Sequence, residues 1–361
     1  MVLERITYAS NGKKIIQQYP NGPYAPPLPP VIIDIPEWPT ISQESSVPER
    51  LAPGPSTHSL KRYLRQAWMP ACCIGRRPRR SDSNGTWCYH PELEVPLGTR
   101  NLLFIRRIQD IDLLRALSTW MDGIPDFSIP VTSTSNDVTV NLALPSAGIA
   151  DLADDDADIF DTHEINCVAD LTGILKMVTL RTVETAYRLL SESAAAHQTT
   201  FHDLNARFPI KGSKFDMLGL PGSKPGELSM VLIIVPYWEQ SPGSLDMIST
   251  SRPPYYSSVL WAVLWDACKR YNCRYFTVTT YNHWTFGNFS NRLGTAQLTE
   301  QIEAPIFLHD SSPSLQQIAE CHQPNVLECL LFWMAAARDS NHRLLRLPPD
   351  HVITEIEAFC A

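Results

Sequence analysis

The sequence predicts an α/β (α+β) chain with a mixed central sheet flanked by helices. Three stretches carry that prediction. SMVLIIVPYW at 229–238 is apolar at successive positions, with Val231, Ile233 and Val235 on one face and Leu232 and Ile234 on the other. A strand covered on both faces reads this way, so it belongs in the middle of a sheet. YYSSVLWAVLWDACKRYN at 255–272 reads as an amphipathic to largely buried helix, with Trp261 and Trp265 four apart on one side as core packing. RYFTVTT at 274–280 then alternates as a strand, and Tyr281-Asn282-His283 turns the chain into a returning strand, WTFGNFS.

The remaining elements follow in order. Residues 1–60 are expected to form a proline-rich, mostly disordered arm: prolines run from Pro20 to Pro55, and proline fixes φ and removes a donor. Within it, VIIDIPEW at 31–38 reads either as a short edge strand or as a docking segment. Residues 61–150 are expected to form an N-terminal subdomain packed on the core. There, RNLLFIRRIQDIDLLRALSTW gives a strand and then a helix, with Ile111, Leu114, Leu117 and Trp120 facing inward. TSTSNDVTVNLALP after it is β-rich. The acidic run at 151–165 lacks the central Gly of a calcium loop and reads as a solvated linker.

The core is placed at 166–340. It opens with a helical stretch at 166–204, whose apolar stripe runs from Leu171 to Leu190 with Glu184 set among it. FDMLGL at 215–220 is a strand, TAQLTEQI at 295–302 continues the sheet, and NVLECLLFWMAAARD at 325–339 is a last buried helix. Residues 341–361 are a tail with a short helix over 349–359, for which Asp350 is the N-cap candidate.

Composition bounds the function. At 361 residues, with 44% apolar and 19% charged residues, the chain suits one large globular domain or two small ones. A net charge of −8 argues against a chain-wide grip on nucleic acid and favours a protein partner, while leaving room for a local basic patch. No apolar run approaches the roughly 20 residues of a membrane span. The N-terminus has no apolar h-region, so no signal peptide is expected. With nine scattered cysteines, the expectation is reduced thiols in the cytoplasm or nucleus, and sequons at Asn84 and Asn288 that stay unmodified.

The one concentrated basic block is KRYLRQAWMPACCIGRRPRR at 61–80. Lys61, Arg62 and Arg65 share a face if 60–68 is helical, and Arg76, Arg77, Arg79 and Arg80 flank Pro78 in a loop. The block reads as a nuclear-import signal, a phosphate contact or a solvated surface loop. Cys72, Cys73, Cys88 and His90 do not have the paired spacing of a zinc site, so no metal is assigned to them. P-loop, dinucleotide, zincin and nucleophile-elbow motifs are absent. His283 is the single histidine at a candidate site edge, and a lone loop histidine reads as a surface residue.

The order helix, strand, strand, helix, strand over about 170–290 resembles the core of PD-(D/E)XK nuclease-like proteins, in particular degenerate, expanded fungal members, many of unknown function. The resemblance covers about a third of the chain and implies a restriction-endonuclease-like core. Asp216, in Lys214-Phe215-Asp216, takes the place of the motif's aspartate, and Glu184 that of the acidic residue on the first helix. These two are the candidate catalytic residues. The Glu-x-Lys positions fall on Ile233, Ile234 and Val235, before Pro236, Tyr237 and Trp238. Such nucleases hold Mg²⁺ on several carboxylates, and isoleucine and valine offer the ion neither oxygen nor charge. Glu239 remains as a migrated carboxylate. The expectation is a non-catalytic binding or accessory protein without a cofactor. The alternatives are a weak or divergent Mg²⁺-dependent nuclease or hydrolase using Asp216, and a nucleic-acid-binding regulator acting through 61–80.

Overall fold

In the computed structural model, residues 3–8, 14–19, 31–32, 59–74, 102–125, 163–190, 199–204, 215–235, 247, 255–306, 324–339 and 341–350 are described. The elements run β1 (Leu3–Tyr8), β2 (Lys14–Tyr19), β3 (Val31–Ile32), α1 (Leu60–Gln66), β4 (Cys72–Ile74), β5 (Phe104–Arg107), α2 (Asp110–Gly123) and β6 (His163–Ile165). Next come α3 (Val168–Ile174), a π-helical stretch (Leu175–Leu180), α4 (Arg181–Leu190), β7 (His202–Asp203), β8 (Asp216–Pro221) and β9 (Leu228–Ile234). Then follow α5 (Tyr255–Arg270), β10 (Tyr275–Thr279), β11 (His283–Phe289), β12 (Thr295–Leu298), β13 (Ile302–Glu303) and α6 (Val326–Arg338).

A mixed sheet in the order β3-β5-β12-β11-β10-β9-β8-β7 forms the centre, with β13 added beside β11. β8 and β9 pair antiparallel, α5 carries the chain over, and β10 returns parallel to β9. Every side chain of β9 from Met230 to Ile234 is fully buried, because helices cover both faces. Val231 and Ile233 pack with Trp261 and Leu264 of α5. Met230, Leu232 and Ile234 pack on the other face, in the layer that holds α1, α2, α3, α4 and α6.

α6 is apolar nearly all round and accordingly buried all round, between the sheet and the outer helices. Trp333 fills the space over β11 and donates from Nε1 to the Gly287 carbonyl at 3.0 Å. Trp120 of α2 meets Phe332 edge-on at 5.5 Å. Each such side chain contributes about 1.5–3 kcal/mol by leaving water. Gly287 is fixed by packing on the opposite face: a Cβ there would stand 2.3 Å from Phe276 Cζ and 2.7 Å from the Gln297 carbonyl oxygen.

Several expectations are revised. β1 and β2 pair antiparallel within the segment expected to be a mostly disordered arm. VIIDIPEW does supply an edge strand: Val31–Ile32 pairs parallel with β5. The prolines of 20–30 lie outside the described residues. Within the region 61–150, β5 is a strand of the central sheet, parallel to β12. β6, at the end of the expected linker, pairs parallel with β4. In α2 the buried residues are Leu113, Leu117 and Met121, whereas Ile111 is 63% exposed. The helix starts only at Asp110, so Ile111 sits in its first turn on the outer side. Asp350 accepts the Arg292 backbone N–H at 3.0 Å, and the terminal helix for which it is the cap candidate lies outside the described residues. Residues 126–162, with the β-rich stretch and most of the acidic run, lie outside the described residues, as do 351–361.

Candidate functional site

Asp216 opens β8 and faces the multi-helix layer. Its Oδ2 accepts a hydrogen bond from Thr172 Oγ1 of α3 at 2.6 Å. Across the hairpin it stands opposite Ile234. Side chains alternate along a strand, so the β9 residues sharing its face are Leu232 and Ile234. This corrects the sequence reading, which set Ile233 and Val235 at the motif positions. Ile233 stands opposite Met217, and with Val235 it packs in the α5 layer on the other side of the sheet. Leu232 and Ile234, like Ile233 and Val235, are apolar and 0% exposed.

Glu184 is brought elsewhere. α3, the π-helical stretch and α4 run on from one to the next, and Glu184 lies about three turns beyond Thr172, roughly 18 Å at 1.5 Å per residue. Its Oε1 accepts the Phe201 backbone N–H at 2.8 Å, next to β7. Burial raises its pKa from 4.5 to about 7, against the Phe201 N–H, Arg188 and Lys176, which favour the ionised form. The structure therefore does not bring Glu184 to Asp216. Magnesium requires several oxygen ligands at about 2.1 Å, and the described residues around Asp216 do not supply them. Among the described residues no group of three His, Cys, Asp or Glu side chains could hold a metal ion. Tyr237, Trp238 and Glu239 lie outside the described residues.

The basic block is divided. α1 is capped by Ser59, whose Oγ accepts the Arg62 N–H at 3.2 Å, and it buries Leu60, Tyr63 and Leu64. Lys61 is half-buried and Arg62 exposed. Arg65 Nε is 2.8 Å from Oε1 of the buried Glu328 on α6. Burial pushes the Glu328 carboxyl up and Arg65 pulls it down. Arg76, Arg77, Arg79 and Arg80 lie outside the described residues, as do Cys73's side chain, Cys88 and His90. His283 opens β11 opposite Glu303, and burial lowers its pKa against the pull of that carboxylate.

A second polar region was not singled out by the sequence. In register across four strands stand Tyr275, Asn288, Gln297 and Arg106. The chain after α6 lies over this row as a strap. Tyr275 donates its hydroxyl proton to the Leu345 carbonyl at 3.0 Å, and Gln297 Nε2 donates to the Arg346 carbonyl at 3.1 Å. Between them, Asn288 is fully buried, with no hydrogen-bond partner for its amide among the described residues. The Asp339 carboxylate ends α6 by accepting the backbone N–H groups of Asn341, Arg343 and Leu344. Burial works against that charge, but the three donors hold it below the usual carboxylate range. His342 sits in the left-handed region at φ 51°. The only local signal for this region was the basic run His342-Arg343 to Arg346 just after a buried helix.

No family model, curated protein or solved structure matches the chain. Among the described residues no helix is long and apolar enough to cross a membrane.

Proposed function

We propose that this chain is a non-catalytic binding or accessory protein on a degenerate PD-(D/E)XK-like core. The observation that carries the reading is the setting of Asp216: the strand residues on its face are Leu232 and Ile234, where metal-assisted phosphodiester cleavage would need a carboxylate and a lysine. The helix, β8, β9, α5 and β10 keep the order of that core. Asp216 itself is tied to Thr172, a contact that positions α3 on the sheet. The net charge of −8 favours a protein over a nucleic acid as partner. Arg65 weighs the same way, since its Nε is engaged by Glu328.

The test is cleavage. Purified protein is incubated with labelled single- and double-stranded DNA and RNA in Mg²⁺ or Mn²⁺. The expected result is intact substrate. Cleavage that disappears in Asp216→Ala would overturn the reading in favour of a divergent nuclease.

A further inference from the structure

The strap and the turn after β11 enclose an open cleft of about 490 Å³, lined by Asn291, Asn341, His342, Arg343, Arg346 and Leu347. Small-molecule sites typically occupy about 300–1,000 Å³, so the cleft has the volume for a nucleotide-sized ligand. Its chemistry is that of an anion receptor. Arg343 and Arg346 are exposed, and neither guanidinium has a hydrogen-bond or ion-pair partner among the described residues. The two acidic groups on the strap are engaged by backbone N–H donors, Asp339 by three and Asp350 by that of Arg292. Two asparagine amides add neutral donors.

His342 is prepared for the same task. Tyr275 has one hydroxyl proton, and the Leu345 carbonyl, which only accepts, receives it. The His342 Nδ1, 3.1 Å from the same hydroxyl oxygen, must then be the donor of that contact. Nδ1 therefore carries a hydrogen, and Nε2 is the position left to exchange a proton with a ligand. The backbone holding this ring is in the left-handed region, which a non-glycine residue adopts at a cost. Burial lowers the pKa of the ring against the pull of the Asp339 carboxylate, and Arg274 from the β10 side lowers it further.

We propose that this cleft binds a phosphate-bearing small molecule, with Arg343 and Arg346 as bidentate donors to the phosphate oxygens and Nε2 of His342 accepting the proton of a monoprotonated phosphate. Guanidinium forks match phosphate oxygens in pairs. The site lies at the Tyr275 end of the sheet, away from Asp216 at the far end of β8, and does not rest on the nuclease-like reading.

The experiment is isothermal titration of the full chain with inorganic phosphate and with adenosine monophosphate. The expected result is saturable binding of both, tighter for the nucleotide if the whole cleft is used and equal for the two if only the phosphate is held. Arg343→Ala and Arg346→Ala should each weaken binding about tenfold, and together roughly a hundredfold. Both residues are exposed, so the variants should melt as wild type does; if the double variant melts early, Arg346→Gln alone decides. Failure of both probes to bind overturns the proposal, as does binding unchanged in the variants. Binding of an oligonucleotide in the absence of any phosphate or monophosphate binding overturns it in favour of a nucleic-acid surface. None of these outcomes bears on cleavage.

Discussion

Asp216 Oδ2 and Thr172 Oγ1 lie 2.6 Å apart and join the start of β8 to the second turn of α3. With Leu232 and Ile234 on the neighbouring strand, the carboxylate serves a structural contact. Asp216→Ala should cost about 1 kcal/mol by removing this contact, with the Val168 carbonyl at 2.9 Å left as an acceptor for Thr172 Oγ1, and Asp216→Asn should cost less. Urea unfolding measures both. Equal losses for Ala and Asn would refute this role.

Glu184 gives a pH dependence of known sign. Its folded pKa of about 7 lies above the ordinary 4.5, so the unfolded chain ionises first. The group costs nothing below about pH 4.5, and stability falls as pH rises from there to 7, by on the order of 2–3 kcal/mol. Glu184→Gln keeps an acceptor for the Phe201 N–H and removes the ionisation. It should flatten stability across this window and raise it at pH 8. Chemical denaturation at pH 5, 6, 7 and 8 compares the two slopes; identical slopes would exclude Glu184 as the source.

Arg65 and Glu328 form an ion pair buried on one side only, with side-chain exposures of 45% and 4%. Arg65→Ala leaves a buried carboxylate without its cation and should cost about 1–3 kcal/mol, below the usual figure for a wholly buried pair. Glu328→Gln should cost less. A double-mutant cycle should return a coupling of at least about 0.5 kcal/mol. Additive losses would show that the two side chains do not interact in solution.

Gly287→Ala tests the tightest approach in the sheet. Its Cβ meets the Phe276 ring and, at 2.7 Å, the Gln297 carbonyl oxygen. A loss of about 3 kcal/mol is expected. Phe276→Leu in the same chain should restore only part, because the second obstacle is backbone. Full rescue, read as the melting temperature, would locate the whole clash in the ring.

The legible parts of the fold are those where composition leaves one solution. β9 and α6 are apolar on all sides, and only burial between layers accommodates them. The pairing of β1 with β2 was not legible, because neither LERITY nor KIIQQY shows a clean period-2 alternation. The place of β5 had no local signature, since its partner is far away in sequence. The α2 stripe was read out of phase because Ile111, Leu113 and Leu114 support overlapping helical faces. At the candidate site, identities were legible but the face was not: only the β8–β9 register tells that Leu232 and Ile234, and not Ile233, accompany Asp216. The strap was invisible because its chemistry depends on backbone carbonyls meeting Tyr275 and Gln297.

The pairing of Phe104 with Thr295 also has a consequence in time. β5 leaves the ribosome long before β12 exists. At about 5–20 residues per second, the gap is roughly 10–40 s of synthesis. A β5 formed in that interval would present an open edge, the geometry that recruits strands from other chains. Arg106 and Arg107 place two positive charges on those four residues, which discourages such pairing until the proper partner emerges. The nascent chain is thus protected by residues that, in the finished sheet, lie partly buried beside Gln297 and Leu298.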